Sequence, residues 1–192
     1  MRIRNKILIA AGMLLLCGGL GLLLGSQLLA QKALEKTAGV LKQMEAVLPE
    51  RSPGVMDIYS VPEMPVLQVE GEDFIAVLEL PALGITLPVG SSWDTRKVRE
   101  FPCRFTGSVY DGTLIIGGSD QKGQFENFEQ LEDGSAVILT DMTGAEFSYT
   151  IERIERAKSA RADILTDDSC DLTLFVRDAY SMEYLLVRCK KK

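Results

Sequence analysis

From Phe74 to the C-terminus, apolar residues come in short runs that glycine and proline keep interrupting, and this punctuation restricts the region to a sheet of many short strands. Runs at 75–80 and 85–89 are separated by Pro81 and Gly84. The run at 113–117 has a buried character, and 136–140 alternates before the turn Asp141-Met142-Thr143-Gly144 leads into 147–151. Runs at 172–176 and 184–189 complete the set. About seven or eight strands with tight glycine-bearing turns predict an all-β, closed or nearly closed barrel. Short helices fit at 94–99 and 124–131, and the sequence holds no internal repeat.

The N-terminus follows different rules. Residues 7–25 form an uncharged run, and a helix of that length reaches roughly 28 Å, close to the hydrocarbon thickness of a bilayer. Arg2, Arg4 and Lys6 precede it and no acidic residue occurs before Glu35, which predicts 1–6 on the cytoplasmic side and everything after Gly25 outside. A cleaved signal peptide fits less well, because Ser26-Gln27-Leu28 and Leu28-Leu29-Ala30 are poor small-x-small sites. Cys17 follows a bulky Leu16 and apolar residues continue past it, against a lipoprotein site. The expectation is one uncleaved transmembrane helix and a single-pass cell-membrane protein. Residues 26–72 then read as a helical stalk, with Leu34, Leu41 and Leu48 seven residues apart, followed by a linker punctuated by Pro49, Pro53, Pro62 and Pro65. The barrel domain occupies 73–192.

The chain carries 27 acidic against 21 basic residues, a net charge of −6, and the part beyond the three N-terminal cations is more negative still. Such a surface releases no counterions from nucleic acid, which argues against a nucleic-acid partner. There is no histidine and no C-x-x-C pair among Cys17, Cys103, Cys170 and Cys189, so no metal or other cofactor is expected. Cys170 and Cys189 flank a predicted hairpin; a disulfide between them and two buried free thiols are both compatible with the sequence.

The segment Asp171-Leu172-Thr173-Leu174-Phe175-Val176-Arg177-Asp178 resembles the D-L-T-L-F-T-C-T strand that carries the nucleophile in sortases, the membrane-anchored cysteine transpeptidases of Gram-positive bacteria. Pro102-Cys103-Arg104-Phe105-Thr106-Gly107-Ser108 is similar to the family's P-C-R-[YF]-S-G-S block, and Leu114-Ile115-Ile116-Gly117-Gly118-Ser119 to its L-V-I-A-G-H block. Lys122, Phe125 and Leu131 keep the family's intervals, Leu131-Glu132-Asp133-Gly134 and Thr140–Gly144 match its turn and hairpin, and Val187-Arg188-Cys189-Lys190 matches its last strand. The resemblance is nearest to class B-like sortases, spans about 74–190, and implies a sortase-like barrel of about eight strands.

It also implies where the chemistry would sit. In the family a cysteine thiolate attacks a sorting-signal carbonyl, a histidine moves the amine protons, and an arginine stabilises the oxyanion. Here the cysteine position holds Arg177, the histidine position Ser119 and the arginine position Tyr184. All three catalytic roles are vacant, which implies a catalytically degenerate member. Two readings of Arg177 stay open: an ion pair with Asp178 or Asp120 that plugs the cleft, or an open groove in which Ser119, Arg177 and Tyr184 contact a ligand. The expected partner is a sorting-signal peptide, an active sortase or a surface-protein assembly. The alternatives are a transpeptidase or hydrolase working through an unrecognised site, and a structural remnant without ligand.

Overall fold

The computed structural model describes residues 31–55, 63–179 and 181–192, together with Met13, Leu15, Gly18 and Gly19. Apart from those four residues, the anchor expected over 7–25 lies outside the described residues. Among the described residues no helix is long and apolar enough to cross a membrane.

A helix, α1, occupies 31–47. The strands are β1 (Ser52–Pro53), β2 (Leu67–Val69), β3 (Glu72–Leu80), β4 (Ile85–Gly90), β5 (Cys103–Thr106), β6 (Leu114–Ser119), β7 (Ala136–Asp141), β8 (Ala145–Ala157), β9 (Leu172–Arg177) and β10 (Tyr184–Lys191), with a single helical turn, α2 (Ala162–Leu165), between β8 and β9. Eight strands close on themselves in the order β3-β4-β5-β6-β9-β10-β8-β7, because β7 pairs with both β3 and β8. Closure leaves no long free edge, the usual hazard of a sheet this size. The thinnest seam is β4–β5, a single parallel pair at Gly90 and Cys103.

Alternation builds the core. Leu172, Leu174 and Val176 of β9 point into the barrel with Leu114 and Ile116 of β6 and Leu185, Val187 and Cys189 of β10. The intervening residues Ile115, Phe175 and Leu186 face outward, where Leu165 of α2 covers them. A period of two makes both sets obligatory once the register is fixed.

The stretch expected as stalk and linker over 26–72 does not stand away from the barrel where it is described. Val40 and Met44 are buried against Val69, Phe74, Val77 and Phe101, so α1 lies along the outside of β3. Its buried face falls at Val40 and Met44, with Leu41 and Leu48 only partly covered. Lys36 pairs with Glu100 and Gln43 donates to Glu70 at 2.8 Å. β1 and β2 also add to the sheet, pairing with β8 and β3. The helices expected at 94–99 and 124–131 shrink to 3-10 turns at Lys97–Arg99 and Phe128–Gln130. Gly123 and Asn127 adopt φ of 81° and 61°, left-handed values that stop an α-helix through that stretch.

Candidate functional site

Strand register brings together Ser119, Arg177 and Tyr184, the three positions that the sequence resemblance points to. The parallel β6–β9 ladder pairs Ser119 with Arg177, and the antiparallel β9–β10 ladder pairs Arg177 with Tyr184. Residues directly opposite on neighbouring strands share a face. Ser119, Arg177 and Tyr184 therefore form one cross-strand row on the outer face of the barrel, at the C-terminal ends of β6 and β9. The next row along is Gly117, Phe175 and Leu186.

These rows floor an open groove of about 750 Å³. Trp93 stacks on Phe175 with centroids 5.5 Å apart, and Phe105 of β5 meets both rings edge-on at 5.5 and 5.7 Å. Gly117 makes this possible: a Cβ there would come within 3.0 Å of both the Phe175 and Trp93 rings, closer than real Cβ atoms approach. One wall is the segment carrying Trp93, Thr95, Val98 and Arg99. Asp94 caps its turn by accepting from the amides of Arg96 (2.7 Å) and Lys97 (3.3 Å), and these bonds hold the Asp94 carboxyl below its ordinary range. Gln124, 3% exposed, ties this wall to the floor: its Oε1 accepts from the Ser119 amide at 3.0 Å and its Nε2 donates to the Val98 carbonyl at 3.1 Å.

The opposite wall follows β8. Arg188 of β10, 3% exposed, donates to Glu155 Oε1 (2.7 Å), Thr173 Oγ1 (3.0 Å) and the carbonyls of Ile164 and Leu165. One guanidinium thus fastens α2 over the outer face, where Ala160 enters the groove lining.

The Arg177 side chain is exposed and sits over the Tyr184 ring, its guanidinium carbon 6.0 Å from the centroid. Among the described residues it forms no ion pair. Asp178 instead binds Arg156 at 3.0 Å and accepts from the Ser181 amide at 3.2 Å, while Asp120 accepts from the Ala179 amide at 3.3 Å. The guanidinium does not fill the groove.

Among the described residues no thiol reaches this row. Cys103, Cys170 and Cys189 are buried and free, so the Cys170–Cys189 disulfide is not formed. Burial pushes the Cys103 thiol up to about 11 and raises that of Cys189 as well, which keeps both protonated and weakly nucleophilic at neutral pH. Among the described residues no group of three or more acidic or cysteine side chains is placed to hold a metal ion.

Trp93, Phe105, Gly117, Gln124 and Arg188 escape a reading of the sequence as site residues. A glycine inside a strand is the one local signal, since it marks close approach of another group.

No curated protein matches the sequence significantly. Among solved structures, sortase C-3 of Streptococcus pneumoniae superposes with a TM-score of 0.57 at 19% identity, over 85% of this chain and 83% of that one. Sortase A of Corynebacterium diphtheriae gives 0.55 at 20% identity, over 85% and 84%. Sortase C-1 of Actinomyces oris gives 0.55 at 20%, over 81% and 96%. At these identities the likeness carries the fold and assigns no sortase class. The sortase-domain family model matches residues 78–186, more than half of the chain, and that match, on a closed eight-strand barrel, makes this protein a member of the sortase family.

Proposed function

We propose that this chain is a catalytically degenerate sortase, anchored in the cell membrane through 7–25 with its barrel outside, that binds a sorting-signal-like peptide without cutting it. It acts alone or beside an active sortase or surface-protein assembly. The observation that carries the reading is the Ser119-Arg177-Tyr184 row: the three positions of the family's chemistry are adjacent, on the floor of an open groove, and none supplies a thiol or an imidazole. In a triad-type enzyme, loss of the nucleophile or its base alone lowers turnover by about 10⁶-fold. The protonated, buried cysteines give a displaced thiol mechanism little support. The groove itself favours a ligand over a structural remnant, because the half-buried Trp93 and Phe105 and the exposed Arg177 guanidinium line one open cleft.

The test is to titrate the full chain in detergent with a sorting-signal peptide and recover the peptide afterwards. Saturable binding with intact peptide is expected. Cleavage or transfer of the peptide overturns the reading, as does the absence of binding.

A further inference from the structure

The row has exchanged more than a nucleophile; it has changed the charge that the groove offers. We propose that the groove selects the free C-terminal carboxylate of a peptide, the end that hydrolysis of a peptide bond leaves, rather than an uncleaved amide. The inference rests on the groove being a peptide site, and four observations carry it further.

First, the Arg177 guanidinium is exposed, without an ion pair among the described residues, and held over the Tyr184 ring at 6.0 Å. With one face against an aromatic ring, the in-plane N–H groups remain for an acceptor, and a carboxylate matches their fork with two parallel bonds. A neutral amide carbonyl offers one acceptor oxygen and no charge.

Second, the groove's own carboxylates are occupied. Asp178 is bound by Arg156 and Asp120 by the Ala179 amide, whereas Arg99 on the facing wall has no ion pair among the described residues. Two carboxylates and two guanidiniums thus line the groove, in a chain whose net charge is −6, and both carboxylates already have partners. The groove lacks the acidic excess of the chain as a whole, and its two guanidiniums without ion pairs among the described residues favour an anion.

Third, Ser119 stands beside Arg177 in the ladder, with its amide already taken by Gln124 and its hydroxyl without a hydrogen bond among the described residues. It supplies a third donor on the same floor.

Fourth, the aromatic floor of Trp93, Phe105 and Phe175 lies one row away. A ligand whose anion meets Arg177 would lay its preceding apolar residues over these rings. A carboxylate at the end of an otherwise neutral peptide fits that order of charge and apolar surface, and about 750 Å³ suits a short peptide.

Trp93 is the chain's single tryptophan and part of the floor, so its emission reports occupancy directly. The probes are one N-acetylated sorting-signal peptide, truncated at the carbonyl the family attacks and prepared as free acid and as carboxamide, plus the carboxamide with glutamate as its last residue. The acid is expected to bind about 10-fold or more tighter than the carboxamide, as a charge-assisted hydrogen bond implies. The margin should shrink with added salt. Arg177→Met, at an exposed position, is expected to remove the preference, so that acid and carboxamide bind the variant with equal affinity. Equal binding of acid and carboxamide, or an unchanged preference in Arg177→Met, overturns the inference and leaves the groove as a peptide site. Tighter binding of the glutamate peptide than of the acid overturns the choice of a chain end. Binding of no peptide at all removes the underlying reading as well.

Discussion

Gly117→Ala tests whether the aromatic floor is set by the backbone beneath it. The added methyl would lie within 3.0 Å of the Phe175 and Trp93 rings, against an optimum of about 3.5–4.0 Å for carbon pairs, so the rings must retreat by about 1 Å. β6 cannot yield instead, because it is hydrogen-bonded to β5 on one side and β9 on the other. Phe175 is buried and Phe105 contacts both rings, which leaves Trp93, at the groove surface, as the group that moves. Overpacking of this kind costs about 1–3 kcal/mol, and replacing a strand glycine by alanine returns about 0.5–1 kcal/mol. The net loss is about 0–2.5 kcal/mol, or up to roughly 10 °C in Tm for a chain of this size. Thermal unfolding by circular dichroism measures the stability and Trp93 emission reports the displacement. Gly118→Ala is the control: its methyl would strike the Phe125 ring inside the barrel, so it should destabilise without shifting emission. Wild-type Tm together with wild-type emission in Gly117→Ala would refute the idea that this glycine shapes the groove.

Arg188→Met removes a buried guanidinium from two carbonyls, a hydroxyl and a carboxylate, and should cost about 3–5 kcal/mol, with hydrogen exchange rising first at 162–173; an unchanged urea midpoint would show that α2 is held by other contacts. Met44→Ala, at a position 0% exposed, should cost about 2–4 kcal/mol, whereas a helix standing free of the barrel would lose less than about 0.5 kcal/mol in the same chemical-denaturation assay. Burial raises the Cys103 thiol from 9.0 to about 11, so the unfolded chain releases that proton first; stability from this group is complete below about pH 9 and falls as pH rises to about 11. Urea midpoints taken across that range should decline less steeply in Cys103→Ala than in wild type, and a thiol reagent at pH 8 should leave native Cys103 unmodified.

All seven apolar runs form strands, since each is short, apolar and ends at polar or turn-forming residues. What stayed hidden depended on partners elsewhere. β5 is a four-residue strand without alternation, defined by pairing with β6 rather than by its own composition. β8 runs to Ala157, well past the expected end at 151, because β10 pairs with its charged half and Arg188 engages Glu155 there. The docking of α1 was masked by proline content: Pro49, Pro53 and Pro65 read as linker, yet β1 and β2 need only two and three residues to join a sheet already built. Met44, which lies between the heptad leucines, and Val40 provide the buried face because Phe74 and Val77 of β3 offer an apolar surface at that point, while Leu41 and Leu48 are only partly covered.

The site shows the same division more sharply. Arg177 and Tyr184 meet across one hairpin, so their adjacency follows from local order; Ser119 joins them only through a parallel ladder between strands far apart in sequence. The resemblance in the sequence points to that third position without the register, and treats the three positions singly. In the ladder the same residues form a set: a cation, a ring that holds its face, and a hydroxyl at its side. The three side chains are compatible with one another on a floor that remains open. Their compatibility is a physical property of the row, and it describes the groove by what it offers a ligand: a guanidinium, a ring against its face and a hydroxyl beside it.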